Sequence, residues 1–459
     1  MDRSELEKAS REDLIELVMK QHETFLKVQE TNQQLVVRVH ELEKRLNRPE
    51  KTSRNSSSRP SAERKGKREN RIPGKKSGPK VGHPGKSRER SEPDVTIECK
   101  VETCQDCGAD LRESSYRELG RSQVVELPPV KPVVVEAIRY GCECPACGKQ
   151  QEATYPEGLE AERVFGNRLE TTVTYLHQLH HVSYNRLETV LDVLFDLTIS
   201  RGALINIAQR VSSKLAESVK AIREKVQASD IVQSDETGAR VNGTNQWQWV
   251  FIGDDATYHV IADSRSAQVI KDVMGTAMPI VWVSDLFSAQ CTAESQLRQI
   301  CLAHQSRDLQ FAMDAERSVW AYHFRQLLFR AQRLAKRRAE LSLPHFYSAI
   351  CQIEDTCDAL LSQSLSGTEE SRLQRRYLKH RGSIFTFLYN PTVPPDNNAS
   401  ERALRNSVIH RKVSGGFRSD DGAAAHAAVA SVVDTAKQNN EQPFSVLSAL
   451  IGAPTPIPV

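Results

Sequence analysis

Between residues 228 and 290 the hydrophobic pattern switches from helical to strand-like. DIVQSDE, NQWQWVFIGD and ATYHVIAD read as three successive β runs, SAQVIKDVMG as a helix, and PIVWVSD as a buried strand. Three strands, a helix and a further strand commit this stretch to an α/β layer. Its flanks are helical. Residues 160–226 contain TTVTYLHQLHHVSYNRLETVLDVLF, a Leu-Thr-Ile-Ser break, and RGALINIAQRVSSKL, with Ser200 placed to cap the second helix. Two helices joined by a short turn are compatible with a helix-turn-helix reader of DNA, although such pairs are more often plain packing units. Residues 292–390 read as mostly helical and charged; after PTVPPDNN, residues 398–413 and 421–439 read as two more helices. A chain of 459 residues is expected to form two to four domains.

The N-terminal part has a different character. Over residues 10–47, Val18, Phe25, Asn32, Val39 and Leu46 recur every seven residues, as do Leu14, Gln21, Val28, Leu35 and Leu42. These fit the a and d positions of a coiled coil, with Asn32 as a buried amide that fixes register; a single amphipathic helix lying on its own body is the alternative. Residues 48–92 are rich in Ser, Arg, Lys, Gly and Pro and read as a disordered basic linker. Arg48 to Arg90 holds 15 basic and 4 acidic residues, whereas the whole chain carries a net +3. Lys75, Lys76 and Lys80 lie in it, and such a tether on an otherwise acidic chain suits a polyanion such as DNA.

Six of the ten cysteines fall between Cys99 and Cys147. CQDCG (Cys104, Cys107) and CPACG (Cys144, Cys147) are two Cys-x-x-Cys-Gly turns whose amides can face the thiolates, and a pair of them completes a tetrahedral Zn²⁺ site. VVELPP and PVVVEAIRY between them suggest short strands, so residues 93–155 read as a zinc-ribbon-like module rather than a redox pair. Cys142 competes with Cys144 as a ligand, and Cys99 is also spare. No apolar run approaches the 18 residues of a membrane span, and MDRSELEKAS lacks the apolar core of a signal peptide. A cytoplasmic, nucleoid-associated protein with reduced thiols is expected.

Carboxylates mark the candidate chemistry. Asp235 is placed at the end of the first β run and Asp285 at the end of the fourth, where α/β layers build their sites. Asp235 and Glu236 point to opposite faces, so one of them joins Asp285; Asp235 shares a face with Ile231 and Gln233. Glu401 in PDNNASERALR is a third carboxylate, followed by Arg402, Arg405, Arg411 and Lys412. It could instead close a variant capping box with Asn398 or pair with Arg405. Three carboxylates beside cations suit Mg²⁺ or Mn²⁺ shared with a phosphate substrate. No G-x-G-x-x-G follows a strand, and a P-loop at Gly85-Lys86-Ser87 would need a glycine where Lys80 stands. In CLAHQSRDL, Cys301 suits packing, and His304 and Arg307 suit contacts to substrate or helix.

In this order the segments resemble the transposases of the insertion sequence 66 family, bacterial DDE transposases with an RNase H-like catalytic domain. The leucine-rich N-terminal helix, the NSS and GHPG tether, the cysteine knuckles, QSDET, CLAHQSR and DNNASERALRNSVIHRKVSGGFRS carry the resemblance. It implies a multidomain α/β protein whose catalytic domain spans residues 228–440 with a helical insertion at about 292–390. It also implies that Asp235, Asp285 and Glu401 are the catalytic, magnesium-binding carboxylates. His304 and Arg307 match the C-x-A-H-x-x-R block, and Arg411 and Lys412 match the basic pair after the last carboxylate. Leu286-Phe287 departs from the pattern after the second Asp, and Cys142-Glu143-Cys144 is a second irregularity. The implied partners are double-stranded DNA at element ends and target, a second copy of the chain, and small accessory proteins of the same element. The implied activity is cleavage and strand transfer at terminal inverted repeats. A binding-only regulator and a structure-specific nuclease are the rival expectations.

Overall fold

The computed structural model describes residues 10–46, 49, 51, 88–160 and 164–452. The expected basic linker, with Lys75, Lys76 and Lys80, falls outside the described residues except at its ends. Helix α1 (Arg11–Leu46) is a single helix of 36 residues. Its Val18, Phe25, Val28, Leu35 and Val39 remain 51–63% exposed, so this apolar stripe is not covered by the described body of the chain. None of the helices among the described residues is long and apolar enough to cross a membrane.

The cysteine segment is less regular than its alternation suggests. Strands β1 (Gly141–Glu143) and β2 (Gln150–Glu152) form a short antiparallel hairpin around the second turn. The first turn is flanked by a single bridge, Thr103 to Asp110. The strands expected from VVELPP and PVVVEAIRY do not form: residues 115–140 have no assigned strand or helix. Pro128, Pro129 and Pro132 remove ladder donors there, and alternation without a partner does not make a sheet.

Beyond it, three helices replace the two expected. Helix α2 (Asn167–Thr174) runs into a π turn (Tyr175–Leu179) and stops at His180–Ser183, where His181 has φ 58°. Helix α3 (Tyr184–Phe195) ends on left-handed Asp196, and α4 (Arg201–Ala228) starts where Ser200 Oγ accepts the Ala203 N–H at 3.3 Å. That cap is the one read from the sequence.

Five strands make the central sheet in the order β5-β4-β3-β6-β7. They are β3 (Ile231–Val241), β4 (Thr244–Ile252), β5 (Thr257–Ala262), β6 (Val281–Ser284) and β7 (Leu297–Ile300). Strands β3, β4 and β5 are an antiparallel meander, and β6 and β7 continue it in parallel with β3. Two expectations are corrected. Strand β3 runs on to an Asn242-Gly243 turn, both residues at positive φ, so Asp235 sits in mid-strand rather than at its end. Strand β7 lies in a stretch read as helical; its four residues include Arg298 and Gln299, and only pairing with β6 makes them a strand.

Helix α5 (Ala267–Met274) and the short α6 (Ser288–Cys291) follow β5 and β6. Helices α7 (Leu302–Glu316), α8 (Val319–Lys336), α9 (Leu343–Leu361), α10 (Thr368–Lys379) and the short α11 (Thr386–Tyr389) form the helical insertion. Their core packs Phe324, Tyr377 and Trp320 with Ile231, Val281 and Val283 from one sheet face. The chain returns as α12 (Asn398–Ser414), α13 (Asp420–Gln438) and α14 (Pro443–Ile451). Leu404 of α12 covers Val250 and Ile252 of β4. On the opposite face Val232, Trp249, Phe251 and Trp282 join residues from α4 and α13 in a second core. Ser431 and Thr435 of α13 accept the His259 and Thr257 N–H groups, which satisfies the edge strand β5 from the side.

Trp282 is fully buried at the centre of that second core, with its indole N–H on Gln290 Oε1 at 3.3 Å. Trp282→Ala is expected to cost about 3–5 kcal/mol in denaturant unfolding followed by circular dichroism. A loss under about 1 kcal/mol would contradict its place in a close-packed core.

Candidate active site

Register aligns the two strands that lead to the first two carboxylates. Strands β3 and β6 pair in parallel as Ile231 with Val281, Val232 with Trp282 and Gln233 with Val283. The pairing stops at Gln233 and Val283; Asp235 follows two residues later within β3, and Asp285 comes directly after the end of β6. Both are half-buried. Asp235 Oδ1 accepts the Glu236 N–H at 2.8 Å, and Asp285 Oδ1 accepts the Phe287 N–H at 2.9 Å.

Glu236 goes to the other face and is 2% exposed. Arg265 donates to its Oε1 from Nη2 at 2.6 Å and from Nε at 3.0 Å, and Gln290 donates to Oε2 at 3.0 Å. Burial, then the neighbouring Asp285 charge, push the Glu236 carboxyl up; Gln290 and Arg265 oppose this. The Arg265 guanidinium also lies 3.8 Å from the Phe287 ring centre and 4.7 Å from that of Trp247. Phe287, where the sequence departs from the family pattern, therefore packs against the cation that holds Glu236.

The third carboxylate is delivered by one buried amide. Asn397 is 0% exposed. Its Nδ2 donates to Ser234 O at 2.7 Å, beside Asp235 and just past the paired part of β3. Its backbone N–H donates to Cys301 Sγ at 3.1 Å, at the start of α7, and its Oδ1 accepts Ser400 Oγ at 2.9 Å. Cys301 N–H continues the sheet by donating to Ser284 O at 2.9 Å, and Leu302 N–H reaches Pro395 O at 3.0 Å. Strand β3, the end of β6, α7 and α12 thus meet at Asn397. Burial pushes the Cys301 thiol up to about 12, so it stays protonated.

This corrects the expected cap. Asn397, not Asn398, occupies the N-cap position of α12, and no side-chain cap bond forms. Asn398 instead donates its backbone N–H to Asp396 Oδ1 at 3.1 Å. The Glu401 carboxylate reaches across to α7: its Oε1 lies 3.3 Å from Arg307 Nη2 and 3.6 Å from His304 Nε2. Burial and the Arg307 cation hold His304 below the usual imidazole range, against the pull of Asp285 and Glu401. Its Nδ1 is buried without a hydrogen-bond partner, as is Gln233 Oε1 on the Asp235 face of β3.

Glu401, His304 and Arg307 therefore meet between α7 and α12, where the Asp285 charge also reaches His304. Arg411 is also drawn to β3: a Cβ on Gly238 would lie 3.3 Å from its Nη1. Arg402, Arg405 and Lys412 are exposed along α12. Asn397, Ser234 and Arg265 were not singled out from the sequence. The DNN run was visible, but nothing in it tells which asparagine turns inward.

The two cysteine turns are built alike. Cys104 N–H donates to Ala109 O and Gly108 N–H to Cys104 O, both at 2.9 Å. Cys144 N–H donates to Lys149 O at 2.9 Å and Gly148 N–H to Cys144 O at 2.8 Å. Gly108 and Gly148, at φ 74° and 69°, make the left-handed step that brings the amides round. Backbone N–H groups of Cys107 and Asp106 lower the Cys104 thiol, and those of Ala146 and Cys147 lower Cys144. Cys99 and Cys142 are exposed. Among the described residues no three metal-binding side chains lie close enough to hold one ion, so the two thiol pairs stand apart and the three carboxylates do not yet converge.

Residues 162–425, more than half of the chain, match the family model described as Transposase IS66 family. Residues 102–148, which include both cysteine turns, match the model described as zinc-finger binding domain of transposase IS66. No curated protein matches the sequence.

Asn397→Ala removes the bond to Ser234 O on β3 and the one from Ser400 Oγ on α12, while the backbone bond to Cys301 Sγ remains. The expected loss is about 1–3 kcal/mol of stability in denaturant unfolding. Unchanged stability would mean that the amide does not join these elements.

Proposed function

Because the chain belongs to the IS66 transposase family, we propose that it cuts the terminal inverted repeats of its element and joins them to target DNA. Water attacks the phosphodiester at the element end and the 3′-hydroxyl leaves. That hydroxyl then attacks a target phosphodiester in line, displacing a target 3′-oxygen. Asp235, Asp285 and Glu401 are the residues assigned to hold the divalent cations.

The observation that carries this reading is the parallel register of β3 with β6, the strands that lead to Asp235 and Asp285, with the start of α12, which bears Glu401, tied to Ser234 through Asn397. The strand order β5-β4-β3-β6-β7, three antiparallel then two parallel, supports an RNase H-like catalytic domain over 228–440 interrupted by the helices of 302–389. Carboxylate oxygens fit hard cations such as Mg²⁺ or Mn²⁺. When bound, such a cation supplies Lewis acidity to the phosphodiester. The chain's own residues bind and orient the DNA. Arg307 and His304 face the reacting strand, and Arg402, Arg405, Arg411 and Lys412 neutralise backbone phosphates.

The remaining parts supply recognition and pairing. Cys104, Cys107, Cys144 and Cys147 are assigned to one structural Zn²⁺ in the module over 93–155. Two Cys-x-x-Cys-Gly turns, whose inward amides lower Cys104 and Cys144, suit that ion. The helices of 160–226 read DNA, and the basic segment 48–92, with Lys75, Lys76 and Lys80, adds salt-sensitive backbone affinity. The exposed stripe of α1 over 10–47 suits a coiled coil between two copies, which would hold two active sites on two ends. Nucleoid association and small accessory proteins follow from the same reading.

Asp235→Asn is expected to abolish nicking and joining of labelled element-end DNA while leaving DNA binding intact, because phosphate contacts supply most of the affinity. Cutting retained by that variant overturns the carboxylate assignment. Tight binding without cutting by the unaltered chain, even with the element's other proteins added, favours a binding-only regulator. Cys104→Ser is expected to abolish zinc retention measured by atomic absorption and to weaken end binding, with the unfolding of the α/β body unchanged.

A further inference from the structure

Resting on the three-carboxylate reading above, we infer that Arg307 is the resident counter-ion of Glu401 and that DNA relieves it. Without DNA the guanidinium occupies the carboxylate. A DNA phosphate that engages Arg307 releases Glu401 to the divalent cations, so metal and DNA bind cooperatively.

The pair spans α7 and α12. Arg307 Nη2 and His304 Nε2 lie 3.3 and 3.6 Å from the same oxygen, Glu401 Oε1. Arg307 Nε also donates to Ala303 O at 3.4 Å, one turn back on its own helix, which steadies the fork toward α12. The Arg307 side chain is 26% exposed and that of Glu401 34%. The pair is sheltered enough to resist screening and open enough for a phosphate to reach.

The charges cannot share the oxygen. A divalent cation on Glu401 would stand within a few ångströms of the guanidinium, and arginine does not give up its proton. Arg307 must swing away or find another anion. Asp308, the next carboxylate along α7, is already held by Arg376. A phosphodiester matches the guanidinium fork and brings its own negative charge to the site. The exchange exposes the third carboxylate when a strand is in place.

Mn²⁺ binding to the zinc-loaded full chain, followed by electron paramagnetic resonance, tests this with and without a short duplex of the element end. The unaltered chain is expected to bind Mn²⁺ about tenfold more tightly with DNA present, and DNA about tenfold more tightly with Mn²⁺. Arg307→Gln is expected to bind DNA-free Mn²⁺ about tenfold more tightly than the unaltered chain and to lose most of the DNA dependence. Arg307→Lys, which keeps the charge, is expected to keep weak DNA-free binding. Matched circular dichroism spectra establish that the variants are folded. An unaltered chain whose Mn²⁺ affinity ignores DNA overturns the proposal, and so does an Arg307→Gln chain that binds DNA-free Mn²⁺ no more tightly. If Asp235→Asn leaves Mn²⁺ binding untouched in every state, the carboxylate site itself is misassigned, which is a separate failure.

Discussion

The parallel pairing of β3 with β6 is the constraint on which the candidate site depends. Three paired positions set the alternation of both strands, and with it the division of the body into two cores. Ile231, Val281 and Val283 go to the insertion helices; Val232 and Trp282 go to α4 and α13. Apolar residues occupy both faces at the start of the strands, so a slip by one residue would exchange large and small side chains throughout. The same alternation carries Asp235 to one side of β3 and Glu236 to the other. The position of the carboxylates is thus a by-product of burying the hydrophobic residues that precede them.

The third carboxylate needs a different kind of joint. Helix α12 enters after a long excursion, and nothing in the sheet specifies where it should land. Asn397 supplies that specification with its side-chain amide on Ser234 and its backbone on Cys301. The bonded groups are buried, so a displaced α12 would leave the Asn397 amide and Ser234 O to find other partners in a site closed to water. Helix α7 is fixed by the same joint, which explains how residues as distant in sequence as Arg307 and Glu401 come within ionic reach. Packing of Leu404 on Val250 and Ile252 then holds the helix flat against the sheet.

Charge is distributed around the site in two ways. Glu236, the carboxylate that turns away, is buried and matched by Arg265, itself held between Phe287 and Trp247. Glu401 is matched by Arg307 at a place that solvent and substrate can reach. The first pair is structural, since parting it would leave an uncompensated buried charge. The second is exchangeable. Their different burial separates a fixed scaffold from a working surface within a few residues of each other.

Much of this was legible in the residues. The long N-terminal helix, the cap at Ser200, the three-strand run with its following helix and strand, and the two last helices all announce themselves by period and capping chemistry, which are local properties. The cysteine turns are equally local: Cys-x-x-Cys-Gly closes its own hydrogen bonds. What stayed hidden was whatever required a partner. The four residues of β7 are a strand because β6 lies beside them; the alternating stretch between the cysteine turns is not one because nothing does. The inward asparagine proved to be Asn397 rather than Asn398, and Glu401 turned to Arg307 rather than back to its own helix. Sequence by itself determined the capped and periodic helices, the strand run that holds Asp235, and which residue types could bind metal or phosphate, since those follow from side-chain spacing along a few turns. Only the tertiary structure decided which strands pair and which partners the carboxylates meet, because that depends on strand register and buried hydrogen bonds between segments a hundred residues apart.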